Sequence, residues 1–400
     1  MNMVITYETL SLSQQVVERQ QAHAATMSSY LESNADISDS TGFLLGFFDP
    51  LSKAAITLAT QACGVLEEIE RATAVAIGDT AADVADADGR VKDVFSRLIA
   101  ELGHGGSGSG GHHHLGGSTL PAAGERAPED YGSVDSYFWQ KRLGNVENIA
   151  GSVSDARSLV NQVSQWGGAA SVAEVTDPSS FLVSPQAPDN FVQDLRWSAG
   201  TLLGGIDWVA EQFVGFSILD RCVYHPLAGD WQGIYRASQA WQHAGDAAMA
   251  IGANHAGLVA TTPATWQGES GDSFRLAMTG ATAASMGLST AFELTGGYVK
   301  TISAVCKLAC IGIGMALDFI ATKLLKLAAE AATPVIGWAV GAVTAYSDIN
   351  GIIKKVRFVY SIIETIESAI NDFIEAKTSI LDKLEILEDL LQGGAASVAV

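Results

Sequence analysis

The 400-residue sequence predicts an all-α protein built from helical hairpins. Two helical apolar patterns and the lack of a strand-like pattern support this fold class. Apolar residues recur every three or four positions from Ala62 to Leu98, which describes one face of a long amphipathic helix. Near the C-terminus, thirteen positions from Ile349 to Leu391 alternate the same steps, and twelve of them are apolar. Such a heptad seam is typical of a long coiled-coil-like helix that packs along its length. No run of alternating β-branched residues competes with these patterns.

The chain is acidic and rich in apolar residues. Hydrophobic residues make up 48% of it, and 44 Asp and Glu stand against 23 Lys and Arg, for a net charge of −21. This charge argues against a nucleic-acid partner, because affinity for a phosphate backbone comes from clustered Lys and Arg. It also disfavours an anionic membrane surface, which attracts basic faces.

Residues 1–102 are predicted to form a helical hairpin. The first helix covers about residues 10–33, and the second runs from about Ser52 to Leu102. Between them lie Thr41-Gly42-Phe43 and Asp49-Pro50, which contain residue types that favour turns. The chain starts without a basic segment followed by an apolar one, so we expect no ordinary signal peptide.

Residues 103–129 are predicted to be a flexible linker, because Gly, Ser and His dominate their first part. Three of the glycines match a dinucleotide-binding spacing, but no strand precedes them and no helix pattern follows at once, so we expect no cofactor site. His112, His113 and His114 are adjacent, and consecutive residues do not easily face one metal ion. We therefore expect a spacer rather than a metal site.

Residues 130–300 are predicted to form a helical body with a tight turn. Apolar spacing favours three helices before this turn, near residues 146–166, 190–213 and 231–259. The turn is Trp266-Gln267-Gly268, with Phe274 in the helix pattern that follows. Gly268 lets the chain reverse tightly, and Trp266 can then cover the open end of the helix pair. The alternative is an ordinary helix–helix loop with a buried Trp.

Residues 301–400 are predicted to form an apolar helical hairpin followed by the coiled-coil-like helix. The best candidate for a membrane span, Ala331 to Ser347, has seventeen uncharged residues, fewer than the roughly twenty that a span needs. A buried hairpin over residues 302–346 is the favoured interpretation, and conditional membrane insertion is the alternative. Cys306 and Cys310 lie four apart in this region, where we favour core packing over a redox or metal pair.

Several elements of the body occur in an order that resembles a known superfamily. The carriers are Asp207-Trp208, Gly215, Pro226-Leu227-Ala228-Gly229-Asp230-Trp231, Trp241 and Trp266-Gln267-Gly268. Together they resemble the WXG superfamily of type VII (ESX) secretion substrates. More closely, residues 190–300 resemble the N-terminal domain of the CpnT-like outer-membrane channel toxins of actinobacteria. The first hairpin resembles the EspC-like excreted proteins of the same systems, through Thr41-Gly42-Phe43, Phe48-Asp49-Pro50-Leu51 and its long second helix.

The resemblance implies an export signal of the form Tyr-x-x-x-Asp/Glu at the end of the first hairpin. At the matching positions, Asp88 provides the acidic residue of the motif, but Val84 stands where the motif has Tyr. The same pattern occurs at Tyr131–Asp135, in a linker-like stretch, and at Tyr360–Glu364. Tyr360 and Glu364 lie four apart on the heptad helix, just off its seam, where both can face a partner. They are therefore the candidate export signal.

The sequence predicts a non-enzymatic protein, because metalloprotease, nucleophile-elbow and P-loop motifs are absent from it. The resemblance implies secretion, or delivery to the cell envelope, by a type VII system. It also implies contact with the ESX machinery or its chaperone, and with a helical partner protein or a second copy. A channel-forming protein that inserts residues 302–346 into a membrane, and a cytosolic adaptor, are the alternatives.

Each half of the sequence carries a long apolar stripe, and an exposed stripe of this size normally marks a partner surface. A short linker holds the two halves at a high effective concentration. We therefore expect the stripe from Ala62 to Leu98 to pack on the 190–300 body within one chain. The competing hypothesis is a mobile hairpin that waits for a separate partner protein.

Overall fold

The structure, a computed structural model, confirms the all-α fold class. It describes residues 5–83, 115, 117–133, 139, 151–165, 172–187, 192–331, 368, 371 and 374. Within these residues, extended backbone pairs only in isolated bridges and eight α-helices make up most of the fold. The helices are α1 Tyr7–Asn34, α2 Asp49–Asp83, α3 Val153–Gln165, α4 Val192–Ser198, α5 Gly200–Val214, α6 His225–Leu227, α7 Trp231–Thr261 and α8 Glu269–Ala331.

The first hairpin consists of α1 and α2, which pack along each other. Their facing sides carry the apolar residues expected from the helical period, among them Leu31, Ala62 and Ile69, each at most 5% exposed. The connection between them is short and closes over Phe48, which is completely buried. Asp49 begins α2 and accepts a hydrogen bond from the Thr41 hydroxyl, so an acidic side chain lies at the positive end of the helix dipole.

The second hairpin consists of α7 and α8, and small residues let these two helices approach closely. A Cβ added to Gly245 would lie 3.1 Å from Ser289 O, and one added to Gly296 would lie 2.9 Å from Ser238 O. Both distances are tighter than ordinary contacts, so larger side chains would push the helices apart. The Asp230 side chain caps α7 by accepting a hydrogen bond from Gln232 N at 3.0 Å.

The two hairpins pack against each other, with α1 in contact with both α2 and α7. One apolar cluster joins Met27 and Leu66 of the first hairpin to Ala247 and Phe292 of the second. Ala62, Ile69 and Ala76 of the predicted stripe lie in apolar clusters shared with the second hairpin, whereas Val65 is 40% exposed, so the expected pairing is seen for part of the described stripe. Residues 84–98 of the stripe lie outside the described residues.

The segment predicted as a flexible linker is packed over its described part. Leu115 and Leu120 are buried, and their backbone N–H groups donate to the side chains of Gln14 and Gln15 of α1, at 2.9 Å and 3.0 Å. Further on, Glu125 pairs with Thr176 in a parallel bridge. The prediction of flexibility up to residue 129 is therefore wrong from residue 117 on, because α1 provides the hydrogen-bond partners that this backbone needs.

The single helix predicted near residues 190–213 is divided into α4 and α5 by Gly200. Its φ of +82° is in the left-handed region, and a Cβ there would overlap the Asp318 carboxylate of α8. The corner holds a buried ion pair, in which Arg196 Nε donates to Asp207 Oδ2 at 2.9 Å. The break therefore follows from a contact between segments far apart in the sequence.

Helix α8 continues without interruption past residue 300, so the predicted boundary between residues 130–300 and 301–400 falls inside one helix. Cys306 and Cys310 are buried in its core-facing side. Of the predicted hairpin 302–346, the structure describes the first arm, up to Ala331. One described helix, over Glu269–Lys323, is long and apolar enough to cross a membrane, and 33% of its most apolar stretch is buried.

Candidate functional site

The Trp-x-Gly turn closes the second hairpin. After α7, a short 3-10 turn over Thr262–Ala264 leads to Trp266, whose N–H donates to Thr262 O at 2.8 Å. Gly268 has φ +106°, which is in the left-handed region, and α8 begins at the next residue. Asp272 N donates to Gly268 O at 3.1 Å and starts the helical hydrogen bonds. The chain thus reverses through a position that favours glycine.

Trp266 is completely buried at this turn. Its ring stacks on Phe274 with centroids 4.6 Å apart, and its Nε1 donates to Ser270 Oγ at 3.1 Å. Arg275 Nη1 donates to Trp266 O at 2.8 Å, and a Cβ on Gly271 would overlap that same carbonyl oxygen. The sequence predicted that Trp266 covers the end of a helix pair, and Phe274 is the side chain on which it rests.

The cover over Trp266 comes from the first hairpin. Ile5 forms an antiparallel bridge with Trp266, and Thr6 N donates to Thr265 O at 3.0 Å. Leu10 of α1 and Ile77 of α2, both completely buried, belong to the same apolar cluster as Trp266 and Phe274. The turn is therefore an internal contact between the two hairpins and leaves no open face for another protein at the Trp ring.

At the other end of the bundle, the loop before α2 binds the loop before α7. Gly42 N, Phe43 N and Leu44 N donate to the carbonyl oxygens of Ala228, Pro226 and Leu227, at 3.3, 3.0 and 2.9 Å. Asp230 N donates to Ser40 O at 2.7 Å. The elements that carried the two separate resemblances, one in each hairpin, thus contact each other directly.

Two glycines make this loop contact possible. A Cβ on Gly42 would lie 2.6 Å from both Ala228 C and Gly229 N, which is closer than Cβ atoms are found. Gly229 has φ +118°, and its Cβ would overlap Ser40 O. The same loops leave the side chains of Phe43, Leu44, Phe47 and Leu227 exposed. The sequence analysis noted Gly42 and Gly229 but did not join them, because nothing local links position 42 to position 229.

Between the two ends, buried polar side chains connect the hairpins. The Asn254 amide of α7 uses both of its ends: Oδ1 accepts from Val175 N and Thr176 N, and Nδ2 donates to Gln20 Oε1 of α1 and to Thr176 O, all at 2.8–3.0 Å. Glu70 of α2 and His255 of α7 are both completely buried, with Oε1 and Nε2 2.5 Å apart. Buried polar groups need partners, so these contacts favour one register of the hairpins over others.

A second buried polar group attaches the segment before α3 to α7. Tyr131 OH donates to Asp246 Oδ2 at 2.5 Å, and Trp139 Nε1 donates to Asp246 O at 3.0 Å. Burial raises the pKa of Asp246 well above its usual range, and burial also raises the pKa of Glu293 on α8 to about 7. Tyr131 is 7% exposed, so this tyrosine of the Tyr131–Asp135 pattern has a packing role.

His243 of α7 completes this polar region. Tyr30 OH of α1 donates to Val183 O at 2.7 Å and lies 2.9 Å from His243 Nδ1. Burial lowers the pKa of His243 to about 4. Titratable side chains are thus held in contacts between helices. Within the described part of the chain, no group of three or more His, Cys, Asp and Glu is arranged to hold a metal ion.

The candidate export residues are not placed by the structure. Tyr360, Glu364, Val84 and Asp88 all lie outside the described residues. Their role stays a prediction.

The fold and its contacts define a two-hairpin α-helical bundle within one chain. Comparison with known protein families, with curated proteins and with solved structures finds no match to this chain.

Proposed function

We propose that this chain is a non-enzymatic protein exported by an actinobacterial type VII (ESX) secretion system, and that it acts through helix–helix contacts as a secretion partner or effector. The observation that carries the proposal is the cover over Trp266 by Ile5 and Thr6 of the first hairpin. In the families that the sequence resembles, helical hairpins commonly function in pairs. This chain provides both hairpins of such a pair.

The burial of polar side chains between helices also supports an interaction role. Asn254, Glu70 and His255 are each completely buried between helices, where a substrate has no access to them. Asp246 is held by Tyr131 and Trp139 in the same manner. Fully enclosed polar contacts of this kind specify how helices pair, whereas catalysis needs groups that reach a substrate.

Export is tested by expressing the full chain in an actinobacterium with a functional type VII system and in a matched strain that lacks the ATPase of that system. We expect the protein in the culture filtrate of the first strain and only in the cells of the second. Tyr360→Ala should leave the cellular level unchanged and empty the filtrate. Tyr346→Ala is the matched control, because Asn350 rather than an acid follows Tyr346 by four residues. Equal secretion by both strains would refute the proposal.

A membrane-inserting protein is the second candidate, and the apolar helix over Glu269–Lys323 favours it, since 33% of its most apolar stretch is buried. Exposed side chains on this helix include Leu308 and Ile320. Leakage of dye from phosphatidylcholine vesicles tests this candidate, because neutral lipid does not repel a chain with a net charge of −21. Dye release that Ile320→Asp abolishes would favour this function over the first.

A further inference from the structure

Helix α5 exposes an apolar stripe and buries Asp207. Leu202, Ile206 and Val209 recur at the helical period on one stripe and are 46%, 58% and 48% exposed. Asp207, in contrast, is 3% exposed and accepts hydrogen bonds from Arg196, from Ser217 Oγ at 2.7 Å and from Leu219 N at 2.8 Å. A surface helix normally has the opposite arrangement, so the stripe indicates a docking surface.

One more exposed apolar residue lies on α8, beyond the corner between α4 and α5. Gly314 and Asp318 face the corner between α4 and α5, since a Cβ on Gly314 would overlap Ser198 and one on Gly200 would overlap Asp318. Leu325 follows on the same face of α8 by the helical period and is 55% exposed. Among the described residues, the corner between α4 and α5 contacts this face at Gly314 and Asp318, and Leu325 lies about two helical turns further along it. We call Leu202, Ile206, Val209 and Leu325 the α5–α8 surface.

The occupant of this surface is constrained by the length of the chain that follows α8. Seventeen residues, 332–348, separate the end of α8 from the heptad pattern, and they can span roughly 55–60 Å when extended. The pattern from Ile349 to Leu391 is then long enough, at about 65 Å as a helix, to cover α5 and the end of α8. Its seam is apolar except at Lys377, so it needs an apolar surface of this kind.

A second copy of the chain is the competing occupant of this surface, and the oligomeric state in sedimentation distinguishes it from the heptad seam. Three residues of the heptad region are described, namely Ser368, Asn371 and Ile374. All three are helical and exposed, and none of them is a position of the seam. Their exposure leaves the seam free to face the protein.

We propose that the heptad seam of residues 349–391 packs on the α5–α8 surface of its own chain. The surface is apolar and exposed, and the seam is apolar and connected to the end of α8 by seventeen residues. This inference does not depend on export by a type VII system.

Hydrogen–deuterium exchange on the full chain tests the proposal. In the wild-type protein, we expect amides of residues 349–391 to be protected. Ile206→Asp should raise their exchange rates at least tenfold and leave those of α7 unchanged, because a buried carboxylate opposes docking of the seam. Thr201→Asp is the matched control, since Thr201 is an exposed residue of α5 off the stripe and should change nothing in 349–391.

Three results would overturn the proposal. The first is rapid exchange of 349–391 in the wild-type protein, or protection that Ile206→Asp leaves unchanged. The second is loss of protection together with conversion of a dimer to a monomer in sedimentation, which would make a second copy the occupant. The third is protection that arises only when phosphatidylcholine vesicles are added, which would make lipid the occupant.

Discussion

Replacing Gly42 by Ala should loosen the contact between the two hairpins at the end opposite Trp266. The added Cβ would lie 2.6 Å from Ala228 C and from Gly229 N, whereas ordinary contact begins at 3.4 Å. The two loops must therefore separate by about 0.8 Å at this point. The backbone on both sides leaves no flexible side chain that could move aside instead.

The cost of this separation follows from the hydrogen bonds that cross the contact. Gly42 N, Phe43 N and Leu44 N donate across it at 3.3, 3.0 and 2.9 Å, and each such bond contributes about 0.5–1.5 kcal/mol. Weakening all three lowers the free energy of unfolding by about 2–4 kcal/mol. For a chain of 400 residues, the expected fall in melting temperature is about 2–5 °C.

Thermal unfolding followed by circular dichroism measures this effect. Gly46→Ala is the matched control, because Gly46 lies in the same connection and a Cβ there would meet no atom within 4 Å. Hydrogen exchange should locate the change at residues 40–44 and 226–230. A melting temperature for Gly42→Ala within 1 °C of that of Gly46→Ala would show that the loops are not in contact, and the reasoning would fail.

Three further changes test other contacts. Gly268→Val forces φ +106° on a β-branched residue and should lower the free energy of unfolding by about 1–3 kcal/mol. Gly280→Ala is the control and should not lower it, because a Cβ on Gly280 of α8 meets no atom within 4 Å. Equal melting curves for the two variants would exclude the tight turn. Asn254→Leu leaves Val175 N and Thr176 N without their acceptor and should lower the free energy of unfolding by about 3–5 kcal/mol. Proteolysis of residues 172–187 should become faster, and unchanged proteolysis would contradict this role of Asn254. Burial raises the pKa of Glu293 to about 7 in the folded protein, so the fold favours its protonated form. The free energy of unfolding should therefore decline as the pH rises from about 4.5 to about 7. Glu293→Gln should therefore gain about 2–3 kcal/mol relative to the wild-type protein between pH 4.5 and pH 8 in denaturant titrations, and a pH-independent difference would refute the assignment.

The helices could be predicted from the sequence because their signals are local. The apolar period of α2 and the Pro and Gly around Trp266 act over a few residues, and they gave the hairpins and the turn. The division between α4 and α5 could not be predicted, because Gly200 is required by Asp318 of another helix. The composition of the predicted linker also did not predict that Leu115 and Leu120 are packed, because their backbone N–H groups bond to Gln14 and Gln15 of α1.

The contacts between hairpins are the part of the candidate site that local reasoning missed. In the sequence, Gly42 and Gly229 read only as turn residues. The structure shows why both must be small, because a Cβ added to Gly229 would lie 2.8 Å from Gly42 N. Asn254 has no motif around it, yet it bonds to α1 and to the segment at Thr176. Long-range partners of this kind leave no pattern in a single sequence.

The central claim is that one chain contains two hairpins that bind each other, and cleavage between them tests it most directly. A protease site inserted between Gly105 and Gly111 lets the folded full-length protein be cut into an N-terminal hairpin and the remainder. The contacts at Trp266, at Asn254 and at Gly42 predict that the two pieces co-elute in size exclusion at micromolar concentration. Elution of the N-terminal piece as a separate peak would contradict the account.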